Sequence, residues 1–422
     1  MNAVARKQLR HVFMVTSGAT PESGNADFWD GDILWATPED VSSLDSYWLR
    51  DTRRKITQAG YEACGTTIAP ADSILLTKRA PIGQLAVLAH EVCTNQGCFL
   101  LTPRHEEDTR FFYYWLSAQT ALLQVLGRGS TFMELSTDEL KSLVVPHPPF
   151  LQQRAIADCL DRETARLDAL VAAKERVLGL LAEKRRALIT RAVTRGLDPR
   201  APLRDSGIPW LGENPAHWEA WKMAHVAFVG NGSTPNRDTP DYWTDGTIPW
   251  LNSSVVNQEE VTTADQFVTP TALRECHLPL VKPGSVLVGI TGQGKTRGSA
   301  VVLSFEAAIN QHIAFITPEV DQLDAWFLRW TLFAAYEFLR SISDDAGGTK
   351  GALTCEEIAA IRIALPPVDE QRAIVRQVSR ETGKLDVVRV ATERTIALLK
   401  ERRAALVAAA VTGQIDVPRA VA

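Results

Sequence analysis

The chain has 422 residues with a formal net charge of −5; it is 45% hydrophobic and 23% charged, which suits two or three domains with their own cores and excludes a disordered or fibrous chain. No run approaches the roughly 18 apolar residues of a membrane span, and the opening MNAVARKQLRHVF lacks a secretory apolar core, so the expectation is a cytoplasmic protein without a membrane partner. Six cysteines include no C-x-x-C pair, and His90, Cys93, Cys98 and His105 match no zinc spacing, so buried reduced thiols are expected rather than a metal site.

In chain order, residues 1–150 read as a first globule. It carries SGATP (17–21), the aromatic FWDGDILW (28–35) and the basic RDTRRK (50–55). SILLTKRAPIGQLAVL (73–88) reads as strand, basic loop and strand, and TNQGCFLLTP (94–103) as a further strand. PPFLQQRAI, beginning at Pro148, then opens some 40 residues without proline, with apolar or tolerant positions alternating by 4 and 3 from Ile156 and Leu160 through Leu167, Leu170, Val177 and Leu181 to Leu188. That pattern predicts a central helix over 151–196, about 60 Å long. LDPRAPLRDSGIPWLGENPAHWEAW (197–221), rich in Pro, Gly and Trp, reads as an ordered linker.

Residues 222–367 then repeat the first globule's motifs in the same order. NGSTP (231–235), YWTDGTIPW (242–250), SVLVGI with its loop (285–298), INQHIAFITP (309–318) and a closing Pro-Pro all recur. The last segment, 368–416, repeats the central helix: from Pro148 to Asp198 and from Pro366 to Asp416 the two copies match at a constant offset of 218 without a gap. Val388 takes the place of Leu170 in its stripe. An isolated amphipathic rod has nothing to cover its stripe. The economical arrangement is an α+β protein in which two α/β globules alternate with two long helices that pair as an antiparallel coiled coil. In the alternative, each helix docks on its own globular neighbour.

GITGQGKT (289–296) fits the phosphate-binding pattern G-x-x-x-x-G-K-[ST]. A phosphate cradle needs a helix after the loop, whose free N–H groups face the ligand. Here RGSAVVLSF follows, which favours a second strand, and the matching loop of the first globule has no G-K-T. A nucleotide site is not expected, and no cofactor is called for.

Taken together, the G-x-T-P motifs, the aromatic D-G-x-x-x-W, the N-Q strands, the strand–basic loop–I-G unit at Ile74–Gly83, P-P-x-x-x-Q-R-A-I at each helix start, and SGIPWLGENPAHWE (206–219) resemble the specificity subunit of type I restriction-modification systems. The resemblance covers nearly the whole chain; one departure is that the first half lacks a copy of W-L-G-E-N-P. It implies that each globule is a target-recognition domain for one half of a bipartite sequence in double-stranded DNA. The paired helices would set the spacing and dock two methyltransferase subunits, with motor and endonuclease subunits completing the enzyme. Catalysis would belong to those partners, and no methyl-donor glycine motif or N-P-P-[FYW] box is found in this chain. A coiled-coil scaffold that joins partners without reading DNA is the competing class.

DNA reading requires phosphate contacts to position and base-edge contacts to specify. The candidates are Arg50, Arg53, Arg54, Lys55, Lys78, Arg79 and Gln84 in the first globule, and Asn236, Arg237, Gln293, Lys295, Thr296 and Arg297 in the second. The helical segments 151–196 and 369–416 hold 10 basic against 6 acidic and 9 basic against 7 acidic residues, so the globules and linker are left net acidic. The isolated chain is therefore expected to bind DNA weakly, with partners supplying much of the electrostatics. Four residues inserted into one helix would add about 6 Å, close to two base pairs of gap.

Overall fold

The computed structural model describes residues 5–44, 46–79, 81–127, 133–292, 294–345 and 351–415. It divides into two compact units, Met1–Glu175 with Glu393–Ala422, and Arg176–Thr392. Each unit thus holds one globule and part of each long helix.

In the first unit a five-stranded sheet runs in the order Phe13–Ser17, Cys98–Pro103, Ile74–Thr77, Leu85–Leu88, Trp48–Leu49, antiparallel except for its last pair. A three-stranded layer orders Arg54–Ile56, Trp29–Ala36 and Val92–Thr94. The strand Ile74–Thr77 is an unbroken buried run because both of its faces are covered. Ile74 and Leu76 join Phe99, Leu101 and the aromatics of helix Thr109–Ala118, while Leu75 joins Ala36, Leu88, Val92 and Leu100.

The second unit repeats this topology strand for strand. Its larger sheet orders Ala227–Asn231, Ile313–Pro318, Val286–Gly289, Ala300–Leu303 and Glu260–Val261, and its smaller one Gln266–Val268, Ile248–Leu251 and Ala308–Ile309. Val286–Gly289 and Ala300–Leu303 pair antiparallel, so the loop of GITGQGKT joins two strands and precedes no helix. The loop 78–84 joins the equivalent antiparallel pair of the first unit.

The long helices run Phe150–Arg195 and Val368–Val411. Within the first unit the Arg403 guanidinium meets Asp168 at 2.8 Å and Lys400 meets Glu175 at 3.3 Å; rising numbers on one helix face falling numbers on the other, so the segments are antiparallel. Within the second unit Arg185 meets Asp386 at 2.8 Å, while Ile189 and Val193 share a core with Ile374 and Val378. The repeat offset converts one ion pair into the other, Asp168 corresponding to Asp386 and Arg185 to Arg403. The pairing expectation holds: the stripe meets its partner helix, and the helix ends also enter the core of the first globule, through Ile156 and Leu160 of the central helix and Val407 and Val411 of the C-terminal one.

The middle of the stripe departs from the predicted spacing. Leu170 and Val177 remain 43% and 37% exposed, and Val388 47%, while Val171 and Leu178 turn further inward. An α-helix of 3.6 residues per turn drifts against a strict seven-residue repeat by about 20° per heptad, so the contact line slides one position along.

The glutamine of P-P-x-x-x-Q-R-A-I is a buried joint between helix and globule. Gln153 accepts from the backbone N–H of Asp108 (2.9 Å) and donates to the Pro148 carbonyl (2.9 Å), and Asp108 caps helix Thr109–Ala118. Gln371 does the same for Asp324 (2.8 Å) and Pro366 (2.8 Å), and Asp324 caps helix Ala325–Ala334. In the first unit Asp161 adds a second joint, accepting from Tyr47 (3.0 Å), Tyr114 (2.7 Å) and Arg110 (2.8 Å). Burial, reinforced by that carboxylate, raises both tyrosine pKa values well above the usual phenol range.

The linker contributes a hairpin, Leu203–Asp205 with Glu213–Pro215, and an edge strand Glu219–Lys222 on Arg362–Leu365. The first unit has the corresponding edge pair, Arg6–Gln8 on Val144–Pro146.

Arg329 is a buried cation with unpaired donors. It is 6% exposed and stacks 3.9 Å above Trp330, and its Nε and Nη1 have no hydrogen-bond partner among the described residues. Burial pushes its pKa down to about 10. Because folding penalises the charged form at every pH below that value, Arg329→Met is expected to stabilise the protein by about 1–3 kcal/mol at neutral pH. Urea unfolding would measure this, and a lower midpoint for the variant would show that the guanidinium is satisfied in solution.

Candidate nucleic-acid interface

The repeated motifs converge on one knot in each globule. The Thr20 hydroxyl of G-x-T-P donates to the Gln96 side chain of the N-Q strand, and Thr234 donates to Gln311 likewise. Asn95 turns its own strand by accepting from Gly97 N–H (2.8 Å), and Asn310 by accepting from His312 N–H (3.1 Å). The motif glycine is required by close approach: a Cβ on Gly18 would lie 1.7 Å from the Thr94 carbonyl oxygen, and one on Gly232 1.9 Å from that of Ile309.

Two tryptophans of the aromatic motif pin the same segment. Trp35 Nε1 donates to Ala19 O (3.0 Å) and Trp29 Nε1 to Glu22 O (3.2 Å). Trp250 donates to Ser233 O (3.2 Å) and Trp243 to Asn236 O (3.0 Å), the equivalent carbonyls of the second globule. The rings of each pair meet edge to face, at 5.1 Å and 82° for Trp29–Trp35 and 5.2 Å and 86° for Trp243–Trp250. These tryptophans were not among the sequence-derived site residues. The signal was present in their recurrence at matched positions in both globules.

Around this scaffold the sequence-derived candidates fall into several situations. Arg50 is exposed and has no side-chain partner among the described residues. Arg53 pairs with Glu39 (3.0 Å), and Lys55 pairs with Asp51 (3.1 Å), a hydrogen bond that lowers the Asp51 pKa. Arg54 lies on the strand Arg54–Ile56 with its guanidinium 3.4 Å from the centre of the Trp29 ring. Lys78 and Arg79 at the basic loop reach Glu134, at 2.9 and 3.9 Å, and Gln84 accepts from Ser42 (2.9 Å).

In the second globule Asn236 makes a turn by accepting from Asp238 N–H (3.0 Å). Arg237 lies over Trp243 (3.9 Å) and Trp250 (4.9 Å) and donates to Gln266 (2.7 Å). Lys295 is exposed at the loop tip, where Gly294 O accepts from Arg340 (2.6 Å) and Lys295 O from Tyr336 (3.2 Å). Thr296 is half-buried behind it, and Gln293 lies outside the described residues. Arg297 differs from its neighbours: it is 5% exposed and ion-paired to Asp344, so it faces the domain interior and braces the loop from behind. A basic residue two places from an exposed lysine carries no sequence mark of which way it points.

No cluster of metal-ligating side chains occurs among the described residues. Cys93 and Cys98 are buried, and burial pushes both thiols up to about 12. No described helix is long and apolar enough to cross a membrane.

Comparison with known proteins agrees with this geometry. The sequence matches the type I restriction modification DNA specificity domain over residues 2–178 and again over 215–386, and the chain belongs to that family. The specificity subunit of the type I restriction enzyme MjaIX from Methanocaldococcus jannaschii is 25% identical over 419 residues, spanning 97% of this chain and 93% of that protein. The specificity subunit of EcoR124I/EcoR124II from Escherichia coli is 21% identical over 158 residues, 37% of this chain and 39% of that one. The fold is shared with a chain from a type I restriction-modification system whose structure addresses complex assembly and conformational transition (TM-score 0.75, 16% identity, 98% and 99% of the two chains). It is also shared with the HsdS subunit from Thermoanaerobacter tengcongensis (TM-score 0.57, 17% identity, 98% of each).

Proposed function

We propose that this chain is the DNA sequence-specificity subunit of a type I restriction-modification complex and carries no chemistry of its own. The observation that carries this reading is duplication. Two globules of one topology each place a basic loop between the same two strands and brace it differently, as two readers of different half-sequences would. Residues 1–150 and 222–367 are the readers, 197–221 leads into the second, and the helical segments 151–196 and 368–416 are the spacer. The apolar positions left exposed at mid-helix, Leu170, Val177 and Leu180 on one helix and Val387, Val390 and Leu398 on the other, favour docking of partner proteins there. Two methyltransferase subunits fit a duplicated spacer, since equivalent surfaces bind equivalent partners. Motor and endonuclease subunits complete the assembly, and the site of action is the cytoplasm.

The test is co-expression with the partner methyltransferase in a host free of adenine methylation, followed by genome-wide mapping of methylated adenine. A split motif with a fixed gap and one methylated adenine in each half is the expected result. An assembled, folded complex that methylates nothing would leave the chain a scaffold. In the same assay Lys295→Ala is expected to alter or relax only one half of the motif, a loss of about 1–3 kcal/mol at the contacted position if it reads a base. A uniform loss across all sites would make Lys295 a phosphate contact.

A further inference from the structure

The two globules hold an arginine on the same tryptophan pair, but they supply it from different segments. In the first, Arg54 is the cross-strand partner of Trp35 and stacks on Trp29. In the second, the residue opposite the equivalent Trp250 is Gln266, and the arginine comes instead from the loop after G-x-T-P, as Arg237. Ser23 occupies the position of Arg237 in the first globule. Gln266 is put to use all the same: its Oε1 accepts from the guanidinium of Arg237 (2.7 Å) and tethers it over the ring pair. Serine and arginine in one domain are thus exchanged for arginine and glutamine in the other, and a guanidinium over the tryptophans is what survives.

We propose that Arg54 and Arg237 are target-independent contacts to the DNA sugar–phosphate backbone, one for each half-site; this rests on the function proposed above. Each indole N–H is already spent on a backbone carbonyl, so the outward ring face is the remaining binding surface of the pair. A guanidinium stacked on that face keeps its in-plane N–H fork available and loses little freedom when the fork is used. Both arginines are exposed, and the Arg54 guanidinium has no hydrogen bond or ion pair among the described residues. Two domains that read different sequences differ in their base-contacting loops, and what their half-sites share is phosphate, the chemistry an arginine fork matches.

The experiment uses the full chain assembled with its methyltransferase subunits, a duplex carrying the mapped motif, and binding measured over a salt series. Arg237→Met keeps an apolar cover on the rings and removes the charge. It is expected to weaken binding about ten-fold, to lower the slope of log affinity against log salt by about 1, and to leave the methylated motif unchanged. Arg54→Met is expected to behave alike. Arg237→Ser is expected to show the same loss, and Arg237→Ser with Gln266→Arg, which moves the arginine to the place it holds in the first globule, to recover most of it. An unchanged salt slope, or a changed half-motif, would overturn the proposal, the first outcome making the arginines structural covers and the second making them base readers. Failure of the added Gln266→Arg to restore binding would overturn it too. A wild-type complex with no sequence preference would instead sink the underlying function.

Discussion

Seven residues added to each long helix, after Glu175 and after Thr392, are expected to widen the gap of the recognised sequence by about three base pairs and to leave both halves unchanged. Seven residues of helix rise about 10.5 Å, and a heptad preserves the seam that a shorter insertion would rotate out of contact. Lengthening one helix alone, by the four residues considered above, carries an added structural cost. Because the segments run antiparallel, a one-sided insertion would displace either Asp168 from Arg403 or Arg185 from Asp386. Methylation mapping of the doubly extended protein decides the matter. Altered half-sequences with the original gap would show that the helices do not act as a ruler.

Trp218→Ala is expected to destabilise the second unit by about 3–5 kcal/mol. The ring is fully buried where the linker, the ends of both helices and the globule share one core, with Val193, Phe327 and Ile374 among its members. Its Nε1 donates to Glu370 at 3.1 Å, so truncation also removes one of the two partners of a partly buried carboxylate at the start of the C-terminal helix, leaving it only His217. Trp218→Phe retains most of the volume and should cost only about 1 kcal/mol, the share of the lost hydrogen bond. Urea unfolding followed by tryptophan fluorescence and by circular dichroism would measure both. A midpoint for Trp218→Ala within error of the wild type would mean that the linker does not contribute to this core.

The large-scale fold was legible because the chain states it twice. Positions that recur at an offset of 218 disclose the helices, and a basic loop whose two copies share flanking strands but not G-K-T disposes of the nucleotide site. The roles of the motifs were less legible. Gly18, Thr20, Trp35 and Gln96 stand out as repeated letters, yet that they close one knot follows only from contacts between residues up to 76 positions apart. Side-chain direction was not legible at all: Lys295 and Arg297 are two residues apart, and one is exposed while the other is buried on Asp344. Nor could the seam be followed through mid-helix, because drift against the heptad accumulates in space and leaves no trace in the letters.

The sequence repeat and the compact unit do not coincide, and this sets an order of assembly during synthesis. The second unit, Arg176–Thr392, is one continuous stretch and has all of its parts once its last residue clears the ribosome. The first unit begins earlier but has a core that includes Val407, Ala410 and Val411. The core around Ile156 and Leu160 therefore stays incomplete while more than two hundred further residues are made. Domains generally mature from the N-terminus onward as a chain emerges. Here the globule made first is completed last, and a nascent chain stalled before residue 400 would expose the apolar surface that chaperones hold.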